Sequence, residues 1–134
     1  MKNKKILTLF TVVLLNSVLL GGSILVNFEA FSLDNSIRLE WDSEQEINLS
    51  EYQIERSASG GNFVYIGNRM PKGSYNHYTY LDETVFAKIT DRTYSYRIKI
   101  LDKDESFTYS PVVTVTPVLS AARETWGSIK AIFR

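Results

Sequence analysis

Between Ile37 and Ser57 the chain reads IRLEWDSEQEINLSEYQIERS, and its polarity alternates twice. Ile37, Leu39 and Trp41 share one parity against Arg38, Glu40 and Asp42. Further on, Tyr52 and Ile54 alternate with Glu51, Gln53 and Glu55. Side chains on a strand point alternately to opposite faces, so each segment predicts a strand with one buried and one wet face. The stretch Ser43 to Ser50 is too polar for a core and predicts a loop.

The same pattern recurs outside this pair. Ile24 to Leu33 reads as a first strand whose parity slips, from Val26 and Phe28 to Phe31 and Leu33, which predicts a bulge. Asp34-Asn35-Ser36 and Gly60-Gly61-Asn62 are turn signals. Phe63 to Gly67 is a short strand, and Asn68 to Asn76, with Pro71 and Gly73, is a loop. His77 to Asp82 and Thr93 to Leu101 are strands; in the latter Tyr94, Tyr96, Ile98 and Ile100 alternate with Ser95, Arg97 and Lys99. Asp102 to Glu105 turns the chain into Ser106 to Thr116, where Pro111 marks an edge or a bulge, since it cannot donate to a ladder.

Seven short strands without helical periodicity between them predict an all-β, seven-stranded antiparallel sandwich of two sheets. Its expected core is Val26, Phe28, Ile37, Leu39, Trp41, Tyr52, Ile54, Phe63, Ile66, Tyr80, Tyr94, Tyr96, Ile98, Ile100, Val113 and Val115. Tyr94 is placed as the tyrosine corner of the sandwich.

The ends differ from this body. Lys2, Lys4 and Lys5 precede an apolar run from Ile6 to Leu20, and Gly21-Gly22-Ser23 comes next, which is the anatomy of an export signal over residues 1–23. Cleavage is expected after Ser23; the alternative is an uncleaved hydrophobic helix over Ile6 to Val26 that anchors the chain in the inner membrane. At the other end, residues 118–134 place Trp126, Ile129, Ile132 and Phe133 at roughly helical spacing, with Arg123, Lys130 and Arg134 elsewhere. That predicts a short amphipathic helix for a partner or, weakly, a membrane surface, with a frayed terminus as the alternative.

At 134 residues the chain allows one domain with extensions. It has no cysteine, which excludes a disulfide framework, a zinc-thiolate site, a cysteine nucleophile and a lipid anchor on Cys. Charge is neutral overall but segregated: Ile24 to Pro117 holds nine basic and fourteen acidic residues, a net of −5. An acidic body argues against nucleic-acid binding, which needs a basic footprint.

Candidate chemistry is sparse. His77, the single histidine, has no partner visible in the sequence and reads as a solvated loop residue. Asp102, Asp104 and Glu105 could suggest calcium, but Phe107 stands where a calcium loop needs glycine, so a turn is expected. Glu44, Glu46 and Glu51 read as solvated acids around one loop. Asn48-Leu49-Ser50 fits a glycosylation acceptor only weakly. Tyr75, Tyr78 and Tyr80 form a stripe that either joins the core or, as Tyr75 and Tyr78, stacks on sugars or a partner protein. No catalytic set, cofactor or metal is expected.

The residues carry a resemblance to a fibronectin type III module of the bacterial kind found in exported proteins of Bacteroidetes and related phyla. Ile24 to Phe31 stands at that kind's entry strand, with Leu25 in place of a proline. Leu39-Glu40-Trp41 with Glu46 matches L-x-W-x-T-x-x-E, and Tyr52 to Ser57 matches F-x-I-E-R-S. Gly61-Asn62-Phe63, Tyr78 to Asp82, Tyr96-Arg97-Ile98, Asp102-Lys103-Asp104 and Tyr109-Ser110 complete the series, with Glu105 where the kind has a turn glycine. The resemblance implies an immunoglobulin-like sandwich over residues 24–117, with Trp41, Leu39, Ile54, Tyr94, Tyr96 and Ile98 at its centre. It also implies a non-enzymatic exported module in the periplasm, at the cell surface or outside the cell, contacting another envelope or extracellular protein. The alternative is a carbohydrate-binding module that holds polysaccharide through exposed tyrosines.

Overall fold

The computed structural model describes residues 22–85 and 92–118. The expected signal or anchor helix and the tail residues Trp126, Ile129, Ile132 and Phe133 lie outside the described residues. The described residues form eight strand segments: β1 (Ile24–Ser32), β2 (Ile37–Gln45), β3 (Leu49–Ala58), β4 (Val64–Arg69), β5 (His77–Asp82), β6 (Tyr94–Asp102), β7 (Phe107–Tyr109) and β8 (Val113–Val115). They form two antiparallel sheets, one in the order β1-β2-β5 and the other β4-β3-β6-β7, with β8 also on β6. The described residues contain no helix.

The alternation in β2, β3 and β6 builds the core directly. Ile37, Leu39 and Trp41 from β2 meet Tyr52 and Ile54 from β3 and Tyr94, Tyr96, Ile98 and Ile100 from β6, all buried. Trp41 is fully enclosed. Tyr78 stacks on it with ring centroids 5.3 Å apart, and Tyr52 and Phe28 meet it edge-on at 5.7 and 6.4 Å. The sheets also close along their sides. Tyr80 donates its hydroxyl to the Ile66 carbonyl at 2.8 Å, and the approach requires glycine at 67, where a Cβ would stand 2.5 Å from that hydroxyl oxygen.

Two expected irregularities are present and decide which side chains face water. In β1 the register shifts between Val26 and Glu29, and Asn27 takes the left-handed conformation at φ 55°. Phe28 therefore turns inward, while Val26, expected in the core, pairs across from Asp42 on the outer face. The last expected strand is split in two around Pro111. β7 pairs Lys99 with Tyr109, but β8 pairs Tyr96 with Val113, one residue out of step. A one-residue slip reverses the face, so Val113 and Val115 pack on the core while Phe107 and Tyr109 point outward. Ser110 bridges the break: its hydroxyl accepts the Ile98 amide at 2.8 Å, and its own amide donates back to the Ile98 carbonyl.

Phe63 needs correcting, and so does the loop expected over Ser43 to Ser50: β2 runs on to Gln45 and β3 begins at Leu49, with Ser43 and Leu49 buried. Phe63, expected in the core, sits half-buried with the Arg97 guanidinium 4.2 Å from its ring centroid. Tyr94 is buried, and so is Tyr96, whose hydroxyl donates across the sandwich to Asp82 at 2.8 Å.

Candidate functional site

The outer face of the larger sheet gathers exposed aromatic and cationic side chains. β6 alternates, so Arg97 and Lys99 stand on the opposite side from Ile98 and Ile100. Tight closure of the β6–β7 hairpin sets Tyr109 opposite Lys99 and Phe107 opposite Leu101. The Arg97 guanidinium lies between two rings, 4.2 Å from Phe63 and 3.9 Å from Tyr109, and its Nε donates to Glu55 at 2.6 Å. Lys99 lies 4.2 Å from the Phe107 ring, and Phe107 meets Tyr109 edge-on at 5.4 Å. Tyr65, opposite Glu55 in β4, extends the face and is 57% exposed; Phe107 and Tyr109 are 48% and 43% exposed. Cations held over rings contribute about 0.5–1 kcal/mol each at exposed sites, so the ladder orders these side chains while leaving their apolar area open.

A second candidate lies on the outer face of the smaller sheet. His77 opens β5, at the start of the expected strand, and is exposed, but it has a partner that the sequence did not show: its Nδ1 is 2.7 Å from Asp42 Oδ1. Asn27 donates to the other oxygen at 2.9 Å. The hydrogen bond from Asn27 and then that from His77 hold the Asp42 carboxyl below the usual carboxylate range. The pair borders a shallow cleft of about 320 Å³ that also touches Tyr75 and Glu44. Ser43, the adjoining hydroxyl, is on the inward parity; it donates to the Gly73 carbonyl at 2.9 Å and accepts the Asn76 amide at 3.0 Å. Its hydroxyl is thereby committed to holding the loop, and His77 and Asp42 do not form a nucleophile–base relay with it.

Glu46, expected to be solvated, is instead a latch. Its carboxylate accepts the hydroxyl of Tyr52 at 3.1 Å, the hydroxyl of Tyr78 in a short bond, and the Gly73 amide at 2.7 Å. Tyr78 in turn accepts the Lys72 amide at 2.6 Å. Burial and then the Glu46 carboxylate push Tyr78 up to about 12, and the same causes raise Tyr52 further. A similar arrangement anchors the other end. Buried Asp82 accepts Arg56 at 2.7 Å, the Tyr96 hydroxyl at 2.8 Å and the Thr84 hydroxyl at 2.7 Å. Burial raises the Asp82 carboxyl, but these bonds outweigh it and leave it below its ordinary value.

Of the tyrosines expected to bind, Tyr78 is fully buried and belongs to the core, because β5 turns it onto Trp41. Tyr80 is half-buried with Arg69 over its ring at 4.8 Å. Tyr75 alone remains exposed, at 86%, in a left-handed conformation with φ 61°. The Asp102 to Glu105 hairpin is closed by the Glu105 amide donating to the Asp102 carbonyl at 3.0 Å, and Ser106 satisfies Asp104. Among the described residues no group of three or more metal-ligating side chains is present. The ladder of Phe63, Arg97, Lys99, Phe107 and Tyr109 was not singled out from sequence. Counting pairs back from the Asp102 turn places Tyr109 beside Lys99, a signal available once the hairpin is assumed tight.

No protein-family model matches the chain, and no curated relative is found. Among solved structures, the chain is similar to pectate lyase PelI from Erwinia chrysanthemi in complex with tetragalacturonic acid (TM-score 0.52, 13% identity, 71% of this chain covered). It is likewise similar to pectate lyase Pel3 from Pectobacterium carotovorum (TM-score 0.55, 17% identity, 76% of this chain covered). In both cases the match spans 28% of the other chain. At this identity the likeness is one of fold.

Proposed function

We propose that the chain is a fibronectin type III-like binding module, exported and non-catalytic, that contacts another envelope or extracellular protein through the outer face of its larger sheet. The observation that carries this reading is the aromatic and cationic ladder: Phe107, Tyr109 and Tyr65 stay exposed, and Arg97 and Lys99 fix the positions of the first two. Aromatic and arginine side chains dominate binding hot spots, and rigid rings lose little entropy when covered. The motif positions support the family reading. Glu46 of the L-x-W-x-T-x-x-E motif latches the loop before β5, and Arg56 and Asp82 of two other motifs pair with each other.

A second reading is favoured by one observation, that the structural neighbours are enzymes named for pectate. Under it the same rings would stack on a polysaccharide, and the chain would be an accessory module of the size that covers 28% of such an enzyme. The test compares immobilised wild-type protein with Phe107→Ser/Tyr109→Ser on envelope extracts of the native host and on insoluble polysaccharides. The expected result is an envelope protein retained by the wild type and by Tyr75→Ser, and lost from the double variant. Equal retention by the double variant would overturn the reading; polysaccharide retention lost with the rings would select the sugar.

A further inference from the structure

The outer face of the smaller sheet is chemically the opposite of the ladder. Register pairing sets Phe31 beside Arg38 and Leu81 at one end, then Glu29 directly opposite Glu40, then Val26, Asp42 and His77. Glu44 comes next on the same parity of β2 and is exposed. Against four carboxylates the face offers Arg38, which is held by Glu40 at 2.9 Å and lies over Phe31, and His77, 2.7 Å from Asp42. Glu29 and Glu40 stand directly opposite each other, which is destabilising on a sheet, and the carboxylates of this face outnumber its own cationic partners. Its apolar end stays open, with Leu81 41% and Leu33 37% exposed.

The chain leaves the sandwich at that apolar end. The Val118 amide donates to the Ser32 hydroxyl at 2.9 Å, at the last residue of β1. Residues 119–134, which continue from Val118, have the complementary pattern: Arg123, Lys130 and Arg134 against Glu124, with Trp126, Ile129, Ile132 and Phe133. Reach is sufficient. The face is about 30 Å long at ~3.3 Å per residue of β2, and sixteen residues cover about 24 Å as a helix and more when extended.

We propose that residues 119–134 dock back onto the outer face of the smaller sheet, with their apolar side chains against Phe31, Leu33 and Leu81 and their basic ones along Glu29, Glu40 and Asp42. The tail then acts as a strap that covers the acidic face and leaves the ladder as the open surface. The strap does not depend on what binds the ladder.

Lys130 is the single lysine of the segment, so zero-length carbodiimide cross-linking of the full chain reads its neighbours. The expected product is an intramolecular link from Lys130 to Glu29, Glu40, Asp42 or Glu44, found by peptide mass spectrometry in the monomer fraction. Its yield should fall several-fold when salt is raised from about 0.01 M to about 1 M, because the Debye length shrinks from ~30 Å to ~3 Å. Links to Glu51 or Glu55 on the opposite face, or no Lys130 link at all, would overturn the proposal. Links found only between isotope-labelled and unlabelled copies would overturn the strap and assign the face to the tail of a second copy.

Discussion

Glu46 shows how one side chain ties three parts of the chain together. It sits where β2 ends, and its carboxylate collects donors from β3, from β5 and from the loop at Gly73. Removing it takes the acceptor from two tyrosine hydroxyls, although Tyr78 still accepts the Lys72 amide, and each unsatisfied buried group costs about 1–3 kcal/mol. Glu46→Ala should therefore lower unfolding stability by about 3 kcal/mol, read from the urea midpoint. The same site sets an alkaline limit. Tyr78 is raised from its ordinary 10 to about 12 in the folded protein, so its neutral form is favoured by folding. Stability from this group is fully present below pH 10 and is lost as pH rises from about 10 through about 12. Urea midpoints measured across that window should fall, and the fall should be shallower in Tyr78→Phe.

At the scale of elements, β2 and β6 were legible because alternation over most of their nine residues leaves one choice of inward face, whereas β3 alternates only around Tyr52 and Ile54 and breaks step at Leu49 and Ser57. The bulges in β1 and at Pro111 were legible as interruptions. Which residues they turned outward was not, because a slip reverses parity only relative to a partner strand, and pairing is set by residues far along the chain. Val26 depended on such a partner, its pairing with Asp42. The same holds for the site. His77 meets Asp42 thirty-five positions away, and Tyr78 meets Glu46 thirty-two positions away, so neither pairing leaves a local signature. The hairpin was better specified. Glu105, standing where the resembling family has glycine, takes φ 71° and still closes the turn. A left-handed conformation costs a non-glycine residue about 1–2 kcal/mol. Glu105→Gly should recover up to about 1 kcal/mol, since glycine also gains freedom in the unfolded chain; the thermal midpoint checks it.

For the whole molecule, the two outer faces have different chemistry on one core. The larger sheet presents rings ordered by Arg97 and Lys99, and the smaller presents carboxylates with a single arginine. Buried Asp82 and Trp41 hold the sheets together from within, so the faces can change without loss of the fold. The central claim is that the ladder is the working surface. It is tested most directly by photo-cross-linking in the native host, with a reactive residue placed singly at Tyr65, Phe107 and Tyr109 on one face and at Thr79 and Leu81 on the other. The account predicts adducts with one common partner from the first three positions and none of that mass from the last two. Adducts of the same partner from Thr79 and Leu81 alone would contradict it.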